Sequence, residues 1–131
     1  MRGYDLDGTL CVPGPKREKS FFKQTGIERR AHEAKVVNHY KTAKKIREPE
    51  APYIIATGRK EKYREETIEW LKSNVTVQPI AVVMLTKGRN ADNMIELKID
   101  ACLKHDVAVY YEDDLKIARA LADAGINVIK V

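Results

Sequence analysis

Five short apolar runs punctuate the chain, at residues 2–5, 53–57, 80–85, 107–112 and 126–131. Most are continuous rather than alternating, the pattern of strands covered on both faces. Between them the apolar positions recur every three or four residues, which predicts helices. Ile27, Ala31, Ala34, Val37, Tyr40, Ala43 and Ile46 form the first such set, and Tyr63, Thr67, Trp70 and Leu71 the second. Ile95, Ile99, Cys102 and Leu103 form the third, and Leu115, Ala118, Leu121 and Ala122 the fourth, with Gly125 placed to stop that helix. Strands alternating with helices of crossover length predict an α/β domain with a parallel sheet. Residues 11–25 fit neither period. They hold Pro13, Gly14, Pro15, a basic cluster and Phe21-Phe22, and read as a flap over the end of the first strand.

Length and composition narrow this further. A chain of 131 residues, 44% hydrophobic and 33% charged, is sized for a single globular domain spanning 1–131 and excludes collagen-like and disordered classes. No apolar run approaches the ~20 residues a membrane span requires. Charge arrives at once in the N-terminal MRGYDLDG, so no signal core is read there. Cys11 and Cys102 lie far apart without metal-type spacing and read as free thiols in a reducing, cytoplasmic setting. The net charge of +5 favours anionic ligands. The positive residues crowd into 16–47, whereas acids gather in the last third. That basic stretch is read either as a solvated helix face or as a surface for phosphate or nucleic acid.

The chemistry concentrates where strands end. Asp5 and Asp7 close the first run in D-L-D-G-T-L. Residues two apart on a strand face one way, so the two carboxylates meet at one point. Their repulsion calls for a cation, and a hard oxygen-seeking ion such as Mg²⁺ suits them. Thr57-Gly58-Arg59 ends the second run. Thr57 and Gly58 offer a hydroxyl and backbone N–H groups to a phosphoryl oxygen, and Arg59 a bidentate charge. Glu112-Asp113-Asp114 ends the fourth run, and helix capping accounts for one of these acids, not three. Lys98 lies beside the apolar face of its helix, placed either to snorkel or to balance the carboxylates.

These four motifs, in this order, resemble the haloacid dehalogenase superfamily of phosphotransferases. The resemblance implies a Rossmann-like five-stranded sheet of order 5-4-1-2-3 flanked by helices, with a small or absent cap. Within that superfamily the phosphatase half of the phage polynucleotide kinase/3′-phosphatases is closer. The stretches that carry it are I-A-T-G-R-K, E-E-T-I-E-W-L, E-L-K-I-D-A-C-L-K-H, Y-Y-E-D-D and G-I-N-V-I-K-V. It implies Asp5 as nucleophile, Asp7 as general acid and then base, Thr57 as phosphoryl holder and Lys98 as charge neutraliser. Asp5, the Asp7 carbonyl, Asp113 and Asp114 are implied around Mg²⁺, with Asp114 the direct ligand of that last pair. The substrate implied is a phosphate monoester, with nucleic-acid or nucleotide ends as the leading class. A small-metabolite phosphatase is the second reading. A non-catalytic phosphate- or nucleic-acid-binding module is the third, and the intact set of acids argues against it. Only four residues precede Asp5, and Arg2 and Gly3 are unusual for a central strand, so a less stable first strand with its active site kept is expected. No sequence feature points to an oligomeric state.

Overall fold

The computed structural model describes residues 1–15 and 25–131. Most of the expected flap, with Phe21 and Phe22, falls outside the described residues. The elements run β1 (Arg2–Tyr4), α1 (Gly26–Thr42), β2 (Tyr53–Lys60), α2 (Arg64–Asn74), β3 (Ala81–Leu85), α3 (Ala91–Lys104), β4 (Val109–Glu112), α4 (Leu115–Asp123) and β5 (Val128–Lys130). All five strands pair in parallel in the order β3-β2-β1-β4-β5, which is the expected order read from the other side. Among the described residues, no helix is long and apolar enough to cross a membrane.

The sheet is covered on both faces, which is why its strands read as continuous apolar runs. Tyr4, Leu6, Tyr53 and Ile55 pack with Trp70 and Leu71 of α2 on one face. Ile54, Ala56 and Tyr110 pack with Ala101 and Cys102 of α3 and with Ile117 and Leu121 of α4 on the other. The Trp70 indole N–H donates to the Ala43 carbonyl at 2.7 Å, which ties the chain just beyond α1 to α2.

The short central strand is accounted for by its neighbours. Gly3 carries no side chain because the Tyr110 ring of β4 occupies that space, and a methyl on Gly3 would come within 2.8 Å of Tyr110 Cδ2. Tyr110 reaches past β1 and donates its hydroxyl to the Ala56 carbonyl of β2 at 2.7 Å. Arg2 pairs with Glu50 at 3.0 Å.

The helix faces differ in detail from the expectation. On α1 only Tyr40 is buried, and Ile27 at its start is 73% exposed. The buried contact of the helix is at its C-terminal turn rather than along a full stripe. On α4 the buried residues are Ile117, Ala118 and Leu121, with Leu115 exposed. Gly125 adopts a positive φ of 90° after α4, as its place at the helix end required.

Candidate active site

Parallel register brings the motif residues to one edge of the sheet. Tyr4 lies beside Ile55 on one side and Tyr111 on the other. The residues that follow, Asp5 and Glu112, therefore emerge together at the C-terminal ends of β1 and β4 with Ala56 of β2 alongside, at the edge where open α/β sheets bind ligands. The Asp5 amide still donates to the Tyr111 carbonyl at 3.0 Å, so the first aspartate is held by the sheet itself. Beyond it the chain folds into a tight turn, with the Thr9, Leu10 and Cys11 amides all donating to the Leu6 carbonyl. Leu10 to Val12 then pair back with residues 44–46, Val12 N–H to the Lys44 carbonyl and Ile46 N–H to the Leu10 carbonyl.

Lys98 extends from α3 into this edge and is 2% exposed. Its ammonium lies 2.5 Å from Glu112 Oε1 and 3.3 Å from Asp5 Oδ1. The alternative of a snorkelling lysine is thereby excluded. Burial pulls the Lys98 ammonium down, but Asp5 and Glu112 together raise it above its usual value, so it is a firm cation. Burial pushes the Asp5 carboxyl well above the usual carboxylate range, Lys98 pulls it back and Glu112 adds to the rise.

Carboxylate oxygens of Asp5, Glu112 and Asp113 lie within 4.8 Å of one another. Three carboxylates against one lysine leave the cluster short of positive charge. An all-oxygen donor set of this kind fits a hard divalent cation such as Mg²⁺. Glu112 is already committed on both oxygens: Oε1 faces Lys98, and Oε2 accepts from the Asp113 and Asp114 amides at 3.1 and 3.3 Å. That leaves Asp5 and Asp113 as the carboxylates able to hold the ion.

Asp114, the expected direct ligand, stands outside the cluster. It is exposed and caps α4, accepting from the Ile117 amide at 3.0 Å. Of the three consecutive acids, one anchors the lysine, one faces Asp5 and one caps the helix. Asp113 approaches the first loop so closely that Gly8, at a φ of 85°, has no room for a side chain.

Arg59 is also placed differently from the expectation. The β2–β3 register shifts between Ala56 and Lys60, so Thr57, Gly58 and Arg59 lie in a bulged stretch. A bulge re-aims side chains, and here Arg59 turns into the protein. It is 1% exposed and grips Asp7 with both arms, Nε to Oδ2 at 2.9 Å and Nη2 to Oδ1 at 2.8 Å. Its Nη1 donates to Thr67 Oγ1 at 3.1 Å, and the Tyr40 ring lies 3.7 Å from its central carbon. Thus both arms of Arg59 are taken up by Asp7, whose carboxylate, expected to meet that of Asp5 at a cation, lies outside the Asp5, Glu112 and Asp113 cluster. Thr57 is buried, and its Oγ1 accepts from the Arg59 amide at 3.1 Å, which leaves the hydroxyl proton to donate elsewhere. Gly58 lies under the Met94 thioether, which would have to shift to admit a side chain there.

Sequence reasoning singled out Glu112 only as one of three acids and did not give it the lysine. Strand alternation carried that signal, because Glu112 shares the face of buried Tyr110. Cys11 and Tyr40 surround the Asp7–Arg59 pair, and no spacing tied either of them to it.

The arrangement corresponds to known structures at the level of the fold. No family model matches the chain, and no curated protein sequence does. Among solved structures it is similar to a HAD-superfamily hydrolase of subfamily IA, variant 1, from Geobacter sulfurreducens. The superposition has a TM-score of 0.54 and 10% sequence identity, and covers 98% of this chain and 85% of that one. The chain thus has the haloacid dehalogenase fold, a Rossmann-like parallel sheet flanked by helices.

Proposed function

We propose that the protein is a Mg²⁺-dependent phosphomonoester hydrolase in which Asp5 is the nucleophile, and that it acts on the phosphate ends of nucleotides or nucleic acids. The observation that carries this reading is the buried contact of Lys98 with Asp5 at 3.3 Å, with Asp113 on the same cluster, at the ligand-binding edge of the sheet. The hydrolase similarity in the solved structure supports the same class.

In this reading an Asp5 oxygen attacks phosphorus and the bond to the leaving oxygen breaks, giving an aspartyl-phosphate. Asp7 gives its proton to that oxygen and then takes one from the water that cleaves the acyl phosphate. Lys98 holds negative charge on Asp5 and the phosphoryl group, and Thr57 donates its hydroxyl to a phosphoryl oxygen. Asp5, Asp113 and the Asp7 carbonyl would hold Mg²⁺, which supplies charge neutralisation between two anions that otherwise repel. Division into two steps matters because uncatalysed phosphate-monoester hydrolysis is so slow that enzymes accelerate it by up to ~10²¹.

The nucleic-acid part rests on the sequence resemblance and on the basic stretch at 16–47. Arg59 turned inward favours the second reading, a small-metabolite phosphatase, because the cation expected to reach beyond the phosphoryl group is occupied. One panel tests both. Phosphate release with Mg²⁺ is measured on 3′-phosphorylated oligonucleotides, 5′-phosphorylated ones, mononucleotides and sugar phosphates, with Asp5→Asn as the control. Preference for a 3′-phosphorylated end supports the first substrate class, and preference for sugar phosphates the second. Release from none of them, or undiminished release by Asp5→Asn, overturns the hydrolase reading.

A further inference from the structure

We propose that Tyr40, at the C-terminal turn of α1, is a positioning residue for the acid–base step: it stacks on Arg59, and Arg59 in turn holds the Asp7 carboxylate. The proposal rests on the reading of Asp5 and Asp7 given above and adds a device outside the carboxylate cluster.

Four observations carry it. The Arg59 guanidinium is buried, and each of its nitrogens has a partner: Nε and Nη2 on Asp7, Nη1 on Thr67, and Nη2 also toward Cys11 Sγ at 3.6 Å. A fork held at three corners is fixed within its own plane, which a lysine cannot reproduce, while the tilt of that plane is set by what lies on its flat faces. Tyr40, 5% exposed, covers one flat face of that fork at 3.7 Å. The Tyr63 ring backs Tyr40 edge-on at 5.2 Å, and the Tyr63 hydroxyl donates to Glu33 on α1, which also pairs with Lys62. The end of α1 is thus fastened to the element that follows Arg59.

The donors on Asp7 then distinguish its two oxygens. Oδ1 accepts from Arg59 Nη2 and faces the Cys11 thiol at 3.6 Å, whereas among the described residues Oδ2 accepts only from Arg59 Nε. Oδ2 keeps the freer lone pair and is the atom placed to carry the transferred proton. In the first half-reaction the proton on Oδ2 passes to the leaving oxygen as the P–O bond breaks and the Asp5–phosphorus bond forms. Removal of the Tyr40 ring lets the guanidinium tilt, Oδ2 moves with it, and protonation of the leaving group suffers while attack by Asp5 does not.

The test separates those two events by the leaving group. kcat/KM with Mg²⁺ is measured for phenyl phosphate, whose leaving oxygen needs a proton, and for 2,4-dinitrophenyl phosphate, whose does not. Tyr40→Leu is expected to lose tenfold or more on the first ester and less than threefold on the second, and Tyr40→Phe to recover most of that loss. Arg59→Lys, which keeps the charge without the fork, is expected to show the same selective loss and serves if Tyr40→Leu does not fold. Equal losses on both esters, or no loss on either, overturn the relay. Failure of the underlying reading looks different: the wild-type protein then hydrolyses neither ester, or Asp5→Asn hydrolyses both as well as wild type.

Discussion

Asp113 and Gly8 approach so closely that a methyl group on Gly8 would come within 2.5 Å of the Asp113 carboxyl carbon. Gly8 also sits at a φ of 85°, where a Cβ is strained whatever the space. Gly8→Ala therefore meets two penalties, the backbone one alone on the order of 1–2 kcal/mol. The midpoint of urea unfolding is expected to fall. If phosphatase activity is present, its Mg²⁺ requirement is expected to rise several-fold because Asp113 is displaced. An unchanged midpoint would contradict the close approach.

Asp113 and Asp114 separate by role. Asp114→Ala removes the side chain that caps α4 and is expected to cost ~1 kcal/mol of stability, with no change in the Mg²⁺ concentration for half-maximal activity. Asp113→Asn is expected to raise that concentration several-fold at little cost in stability. The opposite pattern in a Mg²⁺ titration would return the direct-ligand role to Asp114.

Lys98→Met tests the buried charges. It leaves Asp5 and Glu112, both within 3.3 Å of the ammonium, without their cation. Breaking a buried pair by removing one partner costs roughly 3–5 kcal/mol. Chemical unfolding without divalent ions is expected to show a loss of this size, and added Mg²⁺ to recover part of it. A loss below about 1 kcal/mol would mean that the lysine is not neutralising the cluster.

The two thiols are expected to be quiet. Burial pushes the Cys11 thiol up to about 12 and the Cys102 thiol to about 11, in the first case with the Asp7 charge adding to the rise. Only the thiolate alkylates, so iodoacetamide labelling of the folded protein should stay slow throughout pH 7 to 9, rising about tenfold per pH unit without levelling off. An exposed thiol accelerates with pH across that range until it passes its own pKa near 8.5. Denaturant is expected to release both thiols. Rapid labelling of Cys11 in the folded state would show that the pocket around Asp7 opens.

The sheet was legible because each strand is covered on two faces and so reads as a plain apolar run. The carboxylates at strand ends were legible for a related reason, since charge directly after such a run has few structural uses. Partners supplied by distant segments were not legible. Arg59 follows an apolar run as a substrate-facing arginine would, yet Asp7, Thr67 and Tyr40 come from three other stretches and no spacing announces their meeting. On α1, a regular three-and-four pattern runs from Ile27 to Ile46 and predicts the helix. Only its last turn meets the core, so periodicity there reported helix formation and not contact. Asp114 also carried a local signal of another kind, because the residue immediately before Leu115 is in the capping position.

The Tyr110 ring that fills the place of a side chain on Gly3 makes positions 3 and 110 share a single volume. They are therefore not free to vary one at a time. A larger residue at 3 is tolerated only with a smaller one at 110, and the shrunken partner would lose the hydroxyl that reaches Ala56 over β1. Such an exchange would keep the packing and surrender the strap between β4 and β2, the two strands whose ends carry Glu112 and Thr57. The three-residue central strand can stay so short because its neighbours are fastened to each other across it.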